Sequence, residues 1–500
     1  MQEHPEPALV ERLRHDLDAA GYTVDGLEAA WGPVAAAALG RDDPVPALAE
    51  LDRRPATAVR ILGRLLVLGD PVPGAALAEA LPTLGLEGAE RLGLIRRDGE
   101  LVAPAADLRP FALADEHGVA SWWIVSDLGE LALGGELPEE HVLGAGAASS
   151  TLAGLTLPAA GSVLDLGTGS GVQALQAART ADRVVGTDVS PRALGYARLN
   201  AALNGAELDL RLGSLYEPVA GERFDRIVSN PPFVITPRRV GVPEYTYRDG
   251  GLPGDGLVEA VVRGARDHLA PRGVAQLLGN WEVHGDEVAA RERVLGWADG
   301  LDVWVVQRDL LDPAEYAETW VRDGGAQPGG RRWRELVRLW LDDLADRGVT
   351  AIGAGYVTLR APAAGERPTL RRFEHLAGPV SGVGRALAVG LAGHDAQAAL
   401  GDDALAAQRL RVAPDVTEHR HYWPGAADPT VLELRQGDGF TRTRRVDTAT
   451  AAIVGACDGE LPLGDLAAAV ARLLDADPEA VLRAALPETR ELLVEGFLLP

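Results

Sequence analysis

The chain has 500 residues, more than a single hydrophobic core usually holds, so about two to four domains are expected. With 47% hydrophobic and 24% charged residues it has the composition of an ordinary globular protein. Its formal net charge of -25 argues against a broad electrostatic grip on nucleic acid, which relies on Lys and Arg at phosphates. Cys457 is the single cysteine, which excludes an intrachain disulfide and a cysteine-based metal cluster. No apolar stretch reaches the roughly 18 residues of a membrane span. The start Met1-Gln2-Glu3-His4 has no basic-then-apolar leader, so no membrane partner and a reducing cytoplasm are expected.

Residues 6 to about 112 read as mostly helical, with apolar positions at helical spacing in Leu9 to Leu17 and in Ala58 to Leu68. A short ribbon follows at Leu94 to Val102, where Asp98-Gly99 is a hairpin turn signal. Helices followed by a two-stranded ribbon look like a winged helix, expected at 1–112, in which Arg96 and Arg97 would meet RNA, a protein would dock, or the charge run Arg96-Arg97-Asp98 is a solvated turn. Residues 113 to 160 lead into a second domain, expected at 113–362 with its core from 161. Trp122-Trp123-Ile124-Val125 reads there as an interface strand, and the small-residue run Gly144 to Ser150 as a flap over a ligand or a plain linker.

The stretch that organises the rest runs from Val163 to Phe233. An apolar strand ends in Asp165-Leu166-Gly167-Thr168-Gly169-Ser170-Gly171 and passes into a helical run from Val172, a turn that lets backbone approach a ligand closely. A second apolar strand, Val184 to Thr187, ends at Asp188, where an acid can accept both hydroxyls of a ribose. The spacing is Gly-x-Gly-x-Gly rather than the Gly-x-Gly-x-x-Gly that presents a helix N-terminus to a pyrophosphate. S-adenosylmethionine carries no phosphate, so the spacing favours it over a dinucleotide. The strand Phe224 to Ser229 then closes on Asn230-Pro231-Pro232-Phe233. An amide or aromatic amine nitrogen is a poor nucleophile because its lone pair is delocalised. The Asn230 side-chain oxygen and the Pro231 carbonyl would orient its hydrogens and stabilise the charge that develops. The prolines fix φ, and Phe233 can stack on a flat acceptor. No metal is needed for such a displacement.

With these motifs, roughly residues 140 to 362 resemble the class I S-adenosylmethionine-dependent methyltransferases, within them the amino-methylating group with Asn-Pro-Pro-(Phe/Tyr). That group includes HemK/PrmC-type enzymes acting on a glutamine amide of release factors, and methylases of exocyclic amines in DNA and RNA. The resemblance implies that Asp165, Gly167, Thr168, Gly169 and Gly171 line the methionine and ribose, and that Asp188 holds the ribose. It further implies Ser214 and Leu215 beside the adenine, and Asn230 to Phe233 on the acceptor, with Asn230 also against the cofactor. The chain departs from the group at two places. Gly213-Ser214 stands where such enzymes carry Gly-Asp, and Gly144 to Thr151 stands where HemK/PrmC-type enzymes carry a Pro-Glu-Thr-Glu-like segment.

The strands expected from Ser162 onward are Ser162 to Leu166, Arg183 to Thr187, Leu208 to Leu212, Phe224 to Ser229, Gly273 to Leu278, Asp302 to Arg308 and Ala351 to Arg360. They fit an α/β fold, a doubly wound seven-stranded Rossmann-like sheet with helical, winged-helix-like flanking domains. The resemblance implies that the last two form an antiparallel edge hairpin. On the loop before the fifth strand, Tyr245, Tyr247 and Arg248 are candidates for acceptor contacts or for loop packing. Trp333, Val337 and Trp340 recur at helical spacing, so Arg331 to Asp346 is expected to be an amphipathic helix. The third domain, 363–500, is expected to mix extended segments, Leu410 to Tyr422 and Thr430 to Leu434, with a helix-turn-helix-like end. His419 and His421 share a strand face there without an acid or cysteine cluster and are expected to be structural.

The expectation for the whole chain is thus N-methyl transfer from S-adenosylmethionine to a macromolecular substrate. A protein glutamine is favoured over its alternatives, a base of ribosomal or transfer RNA and a non-catalytic cofactor-binding module. Its oligomeric state is not written in these patterns.

Overall fold

A computed structural model describes residues 5–115, 118–133, 135, 137–157, 161–378 and 380–500. The chain divides into two compact units, Met1–Ala153 with Pro158–His375, and Gly154–Leu157 with Leu376–Pro500.

The first unit is built on a sheet of eight strands: β1 (Ser162–Leu166), β2 (Arg183–Asp188), β3 (Asp209–Leu212), β4 (Phe224–Ser229), β5 (Leu269–Val283), β6 (Asp302–Leu311), β7 (Ala351–Arg360) and β8 (Arg371–His375). Their order is β8-β6-β7-β5-β4-β1-β2-β3. Strands β5, β4, β1, β2 and β3 run parallel, and near-continuous apolar runs such as Val163-Leu164 and Ile227-Val228 suit strands covered on both faces. The direction of winding reverses between β1 and β4, which are neighbours in the sheet, and this is where open α/β sheets bind ligands.

All seven expected strands are present, but their outer end differs from the implied edge hairpin. β7 is internal, antiparallel to both β5 and β6, and the free edge of β6 is covered by β8, which runs parallel to it. The sheet therefore continues past residue 362 to His375. The expected helix is found at Arg331–Asp346, burying Leu336, Trp340 and Leu344.

The N-terminal region folds as helices, among them Pro7–Ala19, Gly74–Ala80 and Gly85–Arg91, followed by the ribbon Ile95–Asp98 and Leu101–Pro104. Residue 112, the expected end of this domain, lies inside a strand of a longer hairpin, Asp107–Asp115 with Gly118–Ser126. The apolar core here does not stop at the hairpin. Leu13, Leu17, Tyr22 and Leu108 share one cluster with Ala193, Tyr196, Leu199 and Leu203 of the helix Pro191–Asn204 that follows β2. Two asparagines one helical turn apart join that helix to the hairpin. Asn200 Oδ1 accepts from the Val125 N–H (2.8 Å) and Asn204 Oδ1 from the Trp123 N–H (2.9 Å), while their amides donate back to the carbonyls of Val125 and Trp123. The side chains thus do for an edge strand what a neighbouring strand would do.

The second unit contains the helix Val383–Ala398, a three-stranded antiparallel sheet (Val416–His421, Val431–Gln436, Thr443–Val446), and the helices Thr448–Gly455, Leu463–Leu473 and Pro478–Glu495. Leu463, Leu466, Val470, Leu492 and Phe497 pack its core, and the apolar tail Leu498–Leu499 pairs with Arg411–Val412. His419 and His421 are bonded to Thr417 and Glu433 on the exposed sheet face. Cys457 is buried, and burial pushes its thiol up to about 11, which leaves it no nucleophilic character near neutral pH. Among the described residues no helix is long and apolar enough to cross a membrane.

Candidate functional site

One hydrogen bond sets the geometry of the site. Ser229 Oγ, at the end of β4, donates to the Leu166 carbonyl at the end of β1 (2.7 Å). Each of these residues is followed directly by a motif, Asn230 after Ser229 and Gly167 after Leu166, so the two motifs begin side by side at the switch point. A cavity of about 770 Å³ opens there, lined by Gly167, Gly169, Asp188, Asn230 and Pro231 among others. Its volume lies in the range of small-molecule sites.

The glycine turn is held from inside the protein. The N–H groups of Gly167 and Thr168 both donate to the Thr187 carbonyl (2.9 and 2.8 Å), and that of Gly169 donates to Asp188 Oδ2 (2.9 Å). Three successive amides are therefore occupied, and they leave no nest of N–H groups for a phosphate. Gly167 and Gly169 have left-handed backbones (φ 76 and 55), and a Cβ at either would meet no atom within 4 Å, so open space adjoins both.

Asp165 is 1% exposed and turned to the protein interior, where Oδ2 accepts from Thr168 Oγ1 (2.6 Å) and from the Ala174 N–H (3.0 Å). Its carboxyl braces the turn and the start of the helix Val172–Ala177, and burial pushes it up to about 7 against those two bonds. Asp188 has both oxygens on backbone amides, Oδ1 on the Ser190 N–H (2.8 Å) and Oδ2 on that of Gly169. Burial raises its pKa, and these amides oppose the rise. Ser214 and Leu215 line the cavity beyond β3, and Leu215 holds a left-handed backbone (φ 47) that is uncommon for a bulky residue.

The tetrad is divided. Asn230, Pro231 and Pro232 line the cavity, and Asn230 Oδ1 is buried with no hydrogen-bond partner in the protein. Phe233 is not among the lining residues. It forms a bridge with Asp249 and packs edge-on against Trp320 (6.2 Å between centroids), in an apolar cluster with Val234 and Ile235. These contacts anchor the loop. Gly171 also stands back from the cavity, because a Cβ there would meet Ala197 at 3.3 Å, and its φ of 88 serves close helix packing. On the loop, Tyr245 and Arg248 are buried and stacked on each other (4.4 Å), with Arg248 on Asp323 (2.7 Å), whereas Tyr247 reaches the cavity.

Part of the wall lies outside the two motifs. The run Gly144 to Ser149 lines the cavity and is fastened by Ser170 Oγ to the Leu143 carbonyl (2.7 Å) and by Gln173 to the Ser149 carbonyl (2.8 Å). Asp127 and His141 stand on the same wall. Asp127 accepts from the Tyr196 hydroxyl (2.6 Å), the Val142 N–H (2.9 Å) and Arg192 Nε (3.0 Å). Burial raises its pKa, but these donors prevail and hold it below the usual carboxylate range. Of this group, the small-residue run, expected as a flap or a linker, is found on the cavity wall, whereas Asp127 and His141 carry no signal in the sequence.

Residues 147–292 match the family model described as the methyltransferase small domain. The flanks, 19–105 and 396–500, match two models each described as a domain of unknown function (DUF7059 and DUF7782). Among curated proteins, the release factor glutamine methyltransferase of Geobacter sulfurreducens is 38% identical over 148 residues, 28% of this chain and 50% of its own. That of Deinococcus radiodurans is 38% identical over 143 residues, 27% and 51% of the two chains. The ribosomal protein uL3 glutamine methyltransferase of Bradyrhizobium diazoefficiens is 34% identical over 196 residues, 35% and 59% of the two chains. The chain spans between half and three fifths of the length of these relatives. Among solved structures, a methyltransferase from Pyrococcus furiosus aligns with 42% of this chain and 80% of its own at 18% identity, with a TM-score of 0.26.

Proposed function

We propose that the chain is an S-adenosylmethionine-dependent N-methyltransferase whose acceptor is the side-chain amide of a protein glutamine. The observation that carries this is Asn230, which lines the cavity that the glycine turn enters and whose Oδ1 is buried without a partner. A buried acceptor left unpaired costs folding free energy, so its retention fits a ligand that supplies the hydrogen. Asn230 Oδ1 and the Pro231 carbonyl would take the two hydrogens of a planar nitrogen and hold it in place.

The chain's residues also fit the cofactor. The amides of Gly167, Thr168 and Gly169 are already bonded and form no nest for a phosphate, and the Asp188 carboxyl lines the cavity beside them, which suits a cationic ligand. Asp188 would hold ribose hydroxyls through lone pairs that its backbone bonds leave free, with Gly167 and Gly169 giving close approach and Ser214 and Leu215 beside the adenine. When bound, S-adenosylmethionine supplies an electrophilic methyl group on a sulfonium.

A glutamine of a protein is favoured by the relatives that are glutamine methyltransferases and by the net charge of -25, which disfavours a polyanion. A cytoplasmic site of action and a protein partner of the translation apparatus belong to the same proposal, with the N-terminal helices and the second unit docking that partner. The test is a cell extract incubated with the chain and methyl-labelled S-adenosylmethionine, then divided between protease and ribonuclease. Label released by protease is expected. Label released by ribonuclease would replace the glutamine with a base, and tight cofactor binding without any label would make the chain a cofactor-binding module.

A further inference from the structure

Asn230 is not alone on the cavity wall in lacking a partner. His141 is 3% exposed, and its Nδ1 is buried without a hydrogen bond. Its ring packs edge-on against Tyr247, at 5.6 Å and 76°. The segment that carries it is fixed on both sides, by the Thr246 N–H on the Glu139 carbonyl (2.9 Å) and by the Val142 N–H on Asp127 (2.9 Å). The loop bearing Tyr247 is in turn tied to the tetrad, through the Val234 N–H on the Arg248 carbonyl (3.0 Å) and the bridge between Phe233 and Asp249. His141 therefore belongs to the end of the cavity where the tetrad lies.

A carboxamide has two needs when it is buried. Its N–H groups require acceptors, which Asn230 and Pro231 provide, and its carbonyl oxygen requires a donor. Several polar side chains near it are not free to donate. The Tyr247 hydroxyl is given to Asp323 (3.2 Å) and Ser126 Oγ to the Asp127 carbonyl (3.2 Å), while Glu140 and Asp249 are carboxylates. We propose that His141 is a positioning residue for the acceptor, its Nδ1–H donating to the carbonyl oxygen of the amide whose nitrogen rests on Asn230. The inference rests on the glutamine reading and names a further contact at the same site. A site of this kind takes a carboxamide in preference to an aliphatic amine, which has no oxygen to offer.

The surroundings suit a neutral donor. Burial lowers the pKa of His141, Asp127 and Asp323 act in the opposite sense, and Arg192 adds to the lowering. A neutral imidazole carries one N–H, and a carbonyl oxygen at Nδ1 selects the tautomer with the proton on that nitrogen.

The test uses the full chain, cell extract and labelled S-adenosylmethionine, with His141→Leu to remove the donor and His141→Asn to restore one near the position of Nδ1. Losing one buried hydrogen bond to the substrate corresponds to about a tenfold to hundredfold rise in the apparent KM for extract protein. His141→Leu is expected to show that rise, His141→Asn to recover most of it, and both to bind S-adenosylhomocysteine as the unaltered chain does. Unaltered KM in His141→Leu overturns the inference, as does a parallel loss of S-adenosylhomocysteine affinity or failure of Asn to rescue. These outcomes differ from failure of the glutamine reading itself, which would appear in the unaltered chain as label in RNA or no label.

Discussion

Asn230→Ala separates stability from activity. In the structure Oδ1 is buried and unpartnered, and such an atom costs a folded protein about 1–3 kcal/mol. Removing it should therefore leave folding unchanged or raise the melting temperature, the reverse of the usual result for a buried substitution. Turnover should move the other way. Loss of one preorganised polar group facing the charge that develops in a transition state lowers kcat by about a hundredfold to a thousandfold, roughly 2.7–4 kcal/mol. The cofactor end of the cavity is held by bonds that do not involve Asn230, so affinity for S-adenosylhomocysteine should change little. Thermal melts, calorimetry with S-adenosylhomocysteine and rates of label transfer measure the three quantities. Wild-type turnover would refute the acceptor role. A melting temperature lowered by several degrees would mean that other contacts of the side chain outweigh the unpaired oxygen.

Three further outcomes are expected. Asp188→Ala should raise the dissociation constant for S-adenosylhomocysteine at least about tenfold, since it removes a ribose acceptor and frees the Gly169 amide; an unchanged constant in calorimetry would oppose this. Gly353→Ala should destabilise the sheet by about 1–3 kcal/mol, because its Cβ would stand 2.0 Å from Trp281 Nε1; urea unfolding with an unchanged midpoint would show that Trp281 can move aside. Asp165, held at about 7 when folded, keeps its proton between about pH 4 and 7 while the unfolded carboxyl loses it. Its contribution to stability should thus fall as pH rises through that window, by at most about 1.4 kcal/mol per unit, and Asp165→Asn should flatten the dependence of the urea midpoint on pH.

The strands were legible in the sequence because buried parallel strands are apolar almost throughout, as in Val163-Leu164 and Ile227-Val228. The turn and the tetrad were legible because glycine and proline limit the backbone in ways that do not depend on distant residues. What escaped depended on partners far along the chain. β8 reads Arg-Arg-Phe-Glu-His, which has no strand signal of its own and is extended through its pairing with β6. Phe233 and Gly171 look alike in sequence whether they meet a ligand or a neighbouring helix, and the structure packs Phe233 against Trp320 and Gly171 against Ala197. A lone histidine such as His141 has no pattern at all until the fold brings Tyr247 beside it.

The shared core of the N-terminal helices and the helix Pro191–Asn204 has a practical consequence for anyone who trims this protein. Starting expression at residue 113, as the motif positions invite, would strip the cover from Tyr196, Leu199 and Leu203 and leave half a hairpin without its mate. Such a fragment would present a sticky greasy flank and should aggregate, so the smallest soluble form of the first unit is expected to keep the helix that begins at Pro7.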